Sequence, residues 1–138
     1  KTIAVLGVTF KPNTDDMRDS PSLDIVPALQ EKGAVIRAFD PAGRHEAEKL
    51  LPGVTWCGDA YETLEGASAV ALLTEWNEFR VLDLKRVREL MKTPVMVDLR
   101  NVYNPDDMEM AGFAYTCVGR PSRFRINNRE LREKVLES

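Results

Sequence analysis

Apolar residues recur along the chain in short runs that alternate with amphipathic stretches. Six runs are short, rich in β-branched residues or alanine, and end at polar or turn-forming residues, which is typical of strands buried on both faces. The predicted strands cover residues 2–8, 34–39, 54–57, 68–74, 94–99 and 113–118.

Helical patterns lie between these runs. Ser20 is a suitable N-cap and Pro21 a suitable first helical residue, because proline lacks an N–H that would otherwise stay unpaired. Leu23, Val26, Ala28 and Leu29 then form an apolar stripe, and Gly33 would end the helix in a left-handed conformation. Further helical segments are predicted over 43–51, over 59–67 with Asp59 as the cap, over 81–91, and after Asn104–Pro105.

Six alternations of strand and helix, with connections too long for hairpins, favour parallel pairing and coverage of the sheet by helices on both sides. We therefore predict an α/β, Rossmann-like doubly wound fold with a mostly parallel sheet of about six strands. Residues 1–119 would form this domain. Residues 120–138 shift to a basic composition and are predicted to be a C-terminal tail that could form a short helix.

Composition and charge disfavour several classes of function. With 138 residues, 43% of them apolar, the chain can bury one core, and its formal charge of −3 disfavours nucleic-acid binding. There is no apolar run long enough to span a membrane and no signal-peptide pattern, so we expect a soluble, cytoplasmic protein without a membrane partner. Cys57 and Cys117 are far apart in sequence, which indicates buried thiols rather than a disulfide framework or a zinc site.

Charged side chains follow several of the predicted strands. Lys11 and Arg18 come after the first strand, Glu75 after the fourth, and Arg100 and Asn101 after the fifth. Ligands of open parallel sheets bind at the carboxyl ends of the strands, where the helix N-termini also lie. A compact ammonium and two planar guanidinium groups at one edge would suit an anionic ligand.

The residue types alone leave the nature of this ligand open. The fingerprint G-x-G-x-x-G is absent, since Gly7 is not followed by further glycines. Asp40 either binds a ribose or terminates a strand in a turn, and Arg18 either binds a ligand or pairs with Asp15 or Asp16. The only histidine, His45, lies in a charged helical segment, and no nucleophile stands beside a base. The sequence thus predicts binding without a reaction centre.

The stretch GVTFKPNTDDMRDSPS at 7–22 resembles the G-x-x-F-K-x-x-T-D-D-x-R-x-S-P motif of the nucleotide-sugar 6-dehydrogenases, the UDP-glucose/GDP-mannose dehydrogenase family. FDP at 39–41, TEWNEF at 74–79 and DLRNVY at 98–103 extend the resemblance, which covers about residues 1–119. The enzymes specific for UDP-glucose are the best match within the family. A motif of this length and mixed composition is far more specific than a single glycine pattern.

The resemblance implies the C-terminal, UDP-sugar-binding domain of an NAD-dependent enzyme that oxidises UDP-glucose in two steps to UDP-glucuronate, as in polysaccharide biosynthesis. NAD would be bound mainly by an N-terminal domain, and the cysteine nucleophile would precede this segment, so neither Cys57 nor Cys117 inherits that role. We expect this chain to be inactive alone, to act with the remainder of the dehydrogenase chain, and to belong to a homo-oligomer.

Roles carry over by position. Phe10, Lys11 and Arg100 match residues that contact the UDP-sugar, and Arg18 matches an arginine that reaches towards NAD. No residue here matches a catalytic or metal-binding position. Residues that would orient the cation-bearing loops are Glu75, Asp98 and Asn101.

Two alternatives remain. The first is the same domain of a GDP-mannose or UDP-N-acetylmannosamine 6-dehydrogenase. The second, from another class, is a non-catalytic flavodoxin-like nucleotide-binding or signalling module. Asp15 and Asp16 lie seven or more residues beyond the first strand and Glu75–Trp76 has no lysine nearby, which disfavours this second alternative.

Overall fold

A computed structural model describes residues 1–117, and the predicted tail 120–138 lies outside the described residues. Six strands form one sheet, and every pair of neighbouring strands is parallel. The strands are β1 Thr2–Leu6, β2 Val35–Phe39, β3 Thr55–Trp56, β4 Ala69–Leu72, β5 Val95–Asp98 and β6 Ala114–Cys117. The helices are α1 Ser22–Glu31, α2 Arg44–Leu50, α3 Ala60–Leu64, α4 Asn77–Arg80, α5 Leu84–Leu90 and α6 Pro105–Met110.

The strand order is β3-β2-β1-β4-β5-β6, which is the order of the dinucleotide-binding doubly wound fold. The predicted Rossmann-like class is therefore confirmed. A flavodoxin-like module has a different strand order, so the topology argues against that alternative. No helix within residues 1–117 is long and apolar enough to cross a membrane.

The core has two layers, one on each face of the sheet. Ile3 and Val5 of β1 point to the layer that α1 and α2 cover, and Ala4 and Leu6 point to the layer on the opposite face. All four side chains are fully buried. Because a strand alternates its side chains between faces, a run that is apolar at every position indicates helices on both sides.

The register aligns the carboxyl ends of the strands. Leu6 of β1 is paired with Phe39 of β2 and with Leu72 of β4, and Leu72 is paired with Asp98 of β5. The residues that follow these four therefore leave the sheet at a common edge. That edge is where candidate chemistry must be sought.

Local details depart from the prediction at α1 and α4. Helix α1 begins at Ser22 rather than Pro21, and its buried face includes Ile25, whereas Leu23 is only half-buried. The short helix α4 follows Trp76, where no helix was predicted. The predicted cap Asp59 is confirmed, since it accepts a hydrogen bond from Glu62 N, and Asn104 accepts one from Asp106 N at the start of α6. The predicted cap Ser20 is wrong: Pro21 is the N-cap residue of α1, and the Ser20 hydroxyl donates to Val8 O instead.

Gly7 follows β1 at φ +84°, and a Cβ atom at this position would lie 2.5 Å from Thr74 Cβ. We predict that Gly7→Ala lowers the free energy of unfolding by about 3 kcal/mol or more, because backbone strain and overlap add. Urea unfolding of the chain measures the loss. Gly33→Ala is the matched control, since Gly33 has φ +89° but nothing within 4 Å of its added Cβ. Its cost is expected to be about 1 kcal/mol, and equal losses for the two variants would contradict the role of close packing at Gly7.

Candidate functional site

The loop after β1 returns to the sheet through two buried serines. Ser20 and Ser22 both donate their hydroxyl groups to the carbonyl of Val8, at 2.5 and 2.7 Å. Both serines are nearly inaccessible to solvent, so each hydroxyl needs a partner within the protein. The bonds hold the start of α1 against the end of β1 and fix the two ends of the loop.

Phe10 and Lys11 lie at the turn of this loop. Phe10 N donates to Asp16 O at 2.9 Å, and the hydroxyl of Thr9 donates to Lys11 O at 3.0 Å. Thr9 is fully buried, whereas the side chain of Phe10 is 41% exposed and that of Lys11 is also exposed. The buried Thr9 thus anchors a turn in which the Phe10 ring and the Lys11 ammonium group are exposed to solvent.

The crevice between β1 and β4 is filled by the chain itself. Thr74 Oγ1 donates to Thr9 O at 2.7 Å, and Gly7 packs directly against Thr74. In the dinucleotide-binding motif, glycines keep this approach open for a pyrophosphate. Here the single glycine permits contact between two loops, so the residues present do not fit a dinucleotide bound along the crevice.

Asp98, the last residue of β5, is fully buried and organises the loop that follows it. Its carboxylate accepts hydrogen bonds from Arg100 N at 2.9 Å, Val102 N at 2.8 Å, Tyr103 N at 3.2 Å and Tyr115 Oη at 2.6 Å. A buried carboxylate is stable only when such donors replace water. Burial, with a smaller effect of the charge on Asp98, raises the pKa of Tyr103 well above its usual range.

Arg100 connects the loops after β1, β4 and β5. Its Nε donates to Leu73 O at 3.1 Å and lies 3.1 Å from a carboxylate oxygen of Glu75, and its Nη2 donates to Phe10 O at 3.0 Å. The Arg100 side chain is 31% exposed. Since a guanidinium carries more N–H groups than these contacts use, it can still donate to an anion.

We call the set Phe10, Lys11, Glu75 and Arg100 the charged rim. The structure brings these four predicted residues together at the carboxyl edge, although they come from three loops. No ion pair joins Lys11 to a residue of the described segment, so its charge faces solvent. Asn101, next to Arg100, adopts φ +54°, and its Oδ1 is buried without a hydrogen-bond partner among the described residues.

Arg18 forms its ion pair within its own loop. It pairs with Asp16 at 2.9 Å while its own side chain remains 88% exposed. The pair borders an open groove of about 610 Å³ between the β1 loop and the helices α1 and α2, also lined by Leu23 and Leu50. Hydrogen bonds from the Arg18 side chain and backbone lower the pKa of Asp16 to about 2.

Asp40 resolves an alternative that the sequence left open. It is 5% exposed, and its two oxygens accept from backbone N–H groups of Val8 and Thr9 on one side and of Ala42 and Gly43 on the other. It is therefore a buried turn-forming acid rather than a ribose ligand. The sequence indicated the turn as one of two roles for Asp40, but it did not single out Thr9 or predict the hydrogen bonds of Asp40 to the β1 loop.

Reactive side chains in the described segment are dispersed. His45 is exposed on α2, and Cys57 is buried as predicted, whereas Cys117 at the end of β6 is only half-buried. No cluster of His, Cys, Asp or Glu within residues 1–117 has the arrangement of a metal site. The described surface therefore offers charge and shape for binding.

A comparison with protein families identifies the family of this chain. A family model described as "UDP-glucose/GDP-mannose dehydrogenase family, UDP binding domain" matches residues 4–105, which include the whole charged rim. The chain belongs to this dehydrogenase family. The matched segment is its UDP-binding domain.

Relatives agree with the assignment to the dehydrogenase family. A UDP-glucose 6-dehydrogenase of Rhizobium meliloti (strain 1021) is 53% identical over 119 residues, which are 86% of this chain and 27% of the relative. Among solved structures, an NDP-N-acetyl-D-galactosaminuronic acid dehydrogenase from Methanosarcina mazei Go1 matches 86% of this chain and 24% of its own length, at TM-score 0.73 and 27% identity. A UDP-D-ManNAc dehydrogenase from Pyrococcus horikoshii matches 83% and 24%, at TM-score 0.66 and 26% identity. The chain spans about a quarter of the length of these dehydrogenases.

The pKa of Asp16 provides a test of the loop geometry. We predict that Arg18→Ala raises it from about 2 towards its ordinary value of 3.8, because the hydrogen bonds and charge of the guanidinium are removed. A folded-state pKa that is depressed means that the pair contributes stability above pH 3.8 and loses it as the pH falls towards 2. NMR titration of the Asp16 carboxyl carbon measures the midpoint.

Arg44→Ala is the control, because Arg44 forms an ion pair with Glu48 on α2 and does not contact Asp16. It should leave the Asp16 midpoint unchanged. A midpoint in the Arg18→Ala variant equal to that of the unsubstituted chain would show that the Asp16–Arg18 pair does not form in solution.

Proposed function

We propose that this chain is the nucleotide-sugar-binding domain of an NAD-dependent UDP-glucose 6-dehydrogenase, which oxidises UDP-glucose in two steps to UDP-glucuronate. The remainder of the dehydrogenase chain would supply the cysteine nucleophile and most of the NAD site. The family membership and the relative at 53% identity support the proposal.

The observation that carries this proposal is the bridge between Arg100 and the β1 loop. Arg100 Nη2 donates to Phe10 O at 3.0 Å, so the backbone beside Lys11 and the guanidinium of Arg100 form one structural unit. We propose that Phe10, Lys11 and Arg100 contact the sugar nucleotide. A planar guanidinium suits two oxygens of a diphosphate, and an ammonium adds a compact positive charge.

Glu75, Asp98 and Asn101 are proposed to orient the loops. Glu75 lies 3.1 Å from Arg100 Nε and would restrict the guanidinium before the ligand binds. Asp98 holds the backbone of Arg100, and Asn101 occupies the left-handed position that turns the loop away from β5. Pre-organisation of this kind lowers the entropy lost on binding.

NAD would accept the hydride released from C6 of the sugar. The closed crevice between β1 and β4 disfavours dinucleotide binding along this domain, which supports an NAD site on the remainder of the chain. Arg18, with its exposed guanidinium, is proposed to reach an anionic group of that NAD. We further propose that the complete enzyme is a homo-oligomer and acts in the cytoplasm.

A second candidate keeps the chemistry and changes the sugar. The structural similarity to a UDP-D-ManNAc dehydrogenase favours UDP-N-acetylmannosamine over GDP-mannose as that alternative. The charged rim recognises a diphosphate, which all of these substrates share. Assays of the full-length enzyme with each nucleotide sugar distinguish the candidates.

Lys11 and Arg100 give the first functional prediction. Each of Lys11→Ala and Arg100→Ala should raise the KM for UDP-glucose of the full-length enzyme about tenfold or more, because a charge-assisted hydrogen bond of about 1.5–3 kcal/mol is lost. Initial rates at saturating NAD measure the change. Lys49→Ala is the control, since Lys49 is an exposed cation near Glu46 on α2. Wild-type KM values in both variants would place the sugar nucleotide elsewhere.

Arg18 gives a separate prediction. Arg18→Ala should weaken NAD binding about tenfold and leave UDP-glucose binding nearly unchanged, because the lost charged hydrogen bond goes to the cofactor. Titrations of the full-length enzyme with each ligand, with Arg44→Ala as the control, measure the two affinities. A larger loss for the sugar nucleotide than for NAD would overturn this assignment.

A further inference from the structure

We propose that Asp40 is a positioning residue for the charged rim. It touches no rim side chain itself, but it accepts hydrogen bonds from the backbone that precedes Phe10 and from the side chain of Trp76, which follows Glu75. The inference rests on the proposed function, because it assigns a role within the same nucleotide-sugar site.

The first set of contacts reaches the β1 loop. Asp40 Oδ2 accepts from Val8 N at 2.8 Å and from Thr9 N at 3.3 Å. The Thr9 hydroxyl donates its single proton to Lys11 O at 3.0 Å, and its oxygen also lies 3.3 Å from Asp40 Oδ2, which competes for that proton. Thr9 therefore connects Asp40, through its backbone N–H, to the carbonyl of Lys11, through its side chain.

A second contact reaches the β4 loop. Trp76 Nε1 donates to the same carboxylate oxygen at 3.3 Å. Trp76 directly follows Glu75, whose carboxylate lies 3.1 Å from Arg100. Oδ2 of Asp40 thus restrains Thr9, which precedes Phe10 and Lys11 of the rim, and Trp76, which follows Glu75.

The other oxygen fixes Asp40 itself. Oδ1 accepts from Ala42 N at 2.9 Å and Gly43 N at 2.7 Å. Gly43 also packs closely against Thr9, since a Cβ at this position would lie 2.5 Å from Thr9 Cγ2. Asp40 forms no ion pair within residues 1–117, so these neutral donors must stabilise its charge.

Asparagine cannot reproduce this arrangement. Oδ1 accepts from two backbone N–H groups of the α2 turn, and Oδ2 accepts from Val8 N, Thr9 N and Trp76 Nε1. The amide of asparagine has one acceptor oxygen, so it can serve only one of these two sets of donors. The NH₂ group would then oppose either the β1 loop or the α2 turn. In Asp40→Asn we expect the backbone of residues 8–11 to lose the hydrogen bonds that hold it, while the sheet stays intact.

The test compares variants of the full-length dehydrogenase. Asp40→Asn and Thr9→Val should each raise the KM for UDP-glucose about tenfold, with a change in kcat of less than about threefold, since neither residue touches the reacting atoms. Thr9→Ser retains the hydroxyl and should restore a KM close to that of the wild type. Hydrogen exchange followed by mass spectrometry, without substrate, should show faster exchange at residues 8–11 in Asp40→Asn and Thr9→Val.

Asp59→Asn is the matched control, because Asp59 caps α3 with one hydrogen bond to Glu62 N and does not contact the rim. It should leave KM and exchange at residues 8–11 unchanged. If Asp40→Asn does not fold, the pair Thr9→Val and Thr9→Ser decides the question. Unchanged KM and unchanged exchange at 8–11 in the folded variants, even with a lowered unfolding temperature, would overturn the proposal and leave Asp40 a purely stabilising role.

The two hypotheses can fail separately. Wild-type turnover with UDP-glucose tests the proposed function, whereas the ratio of variant to wild-type KM, on whichever nucleotide sugar the enzyme oxidises, tests Asp40. The exchange experiment needs no substrate at all. It therefore decides the role of Asp40 even when UDP-glucose is not the substrate.

Discussion

The candidate site depends on two buried carboxylates at the carboxyl edge of the sheet. Asp98 ends β5 and Asp40 directly follows β2, and both are almost fully shielded from water. Burying an ionised carboxylate is costly unless donors replace its hydration. Backbone N–H groups of the adjoining loops provide most of those donors, so the loops can satisfy the charge in only one arrangement. The same bonds that stabilise the charge determine where the exposed cations lie.

The sheet has the topology of dinucleotide-binding domains, but its central crevice is closed. The strand order is that of dinucleotide-binding domains, but contact between Gly7 and Thr74 fills the crevice where a pyrophosphate would pass. The proposed binding groups are instead the side chains of Lys11 and Arg100, which follow β1 and β5 at the same edge of the sheet. Side chains that extend from a rim can contact a ligand shared with a second domain, which suits a segment that spans about a quarter of its relatives.

Much of the fold follows from local sequence. Runs that are apolar at every position, such as residues 3–6, predict strands buried on both faces, because successive side chains point to opposite faces of the sheet and each face then needs a core. Their alternation with amphipathic segments predicts the parallel sheet. Asp59 and Asn104 are caps because their side chains reach N–H groups only two or three residues away. The order of the neighbouring strands, by contrast, has no local signal.

The candidate site shows most clearly the difference between what the sequence determines and what the tertiary structure decides. The sequence by itself determined that charged residues follow the strands, and the long motif at 7–22 indicated the kind of ligand. Only the tertiary structure decided that Arg100 reaches Phe10 O across 90 positions, that Arg18 instead pairs locally with Asp16, and that Asp40 serves the loops rather than a ribose. The physical reason is that strand periodicity and capping act within a few residues, whereas a buried charge takes its partners from whichever loops the sheet register brings beside it.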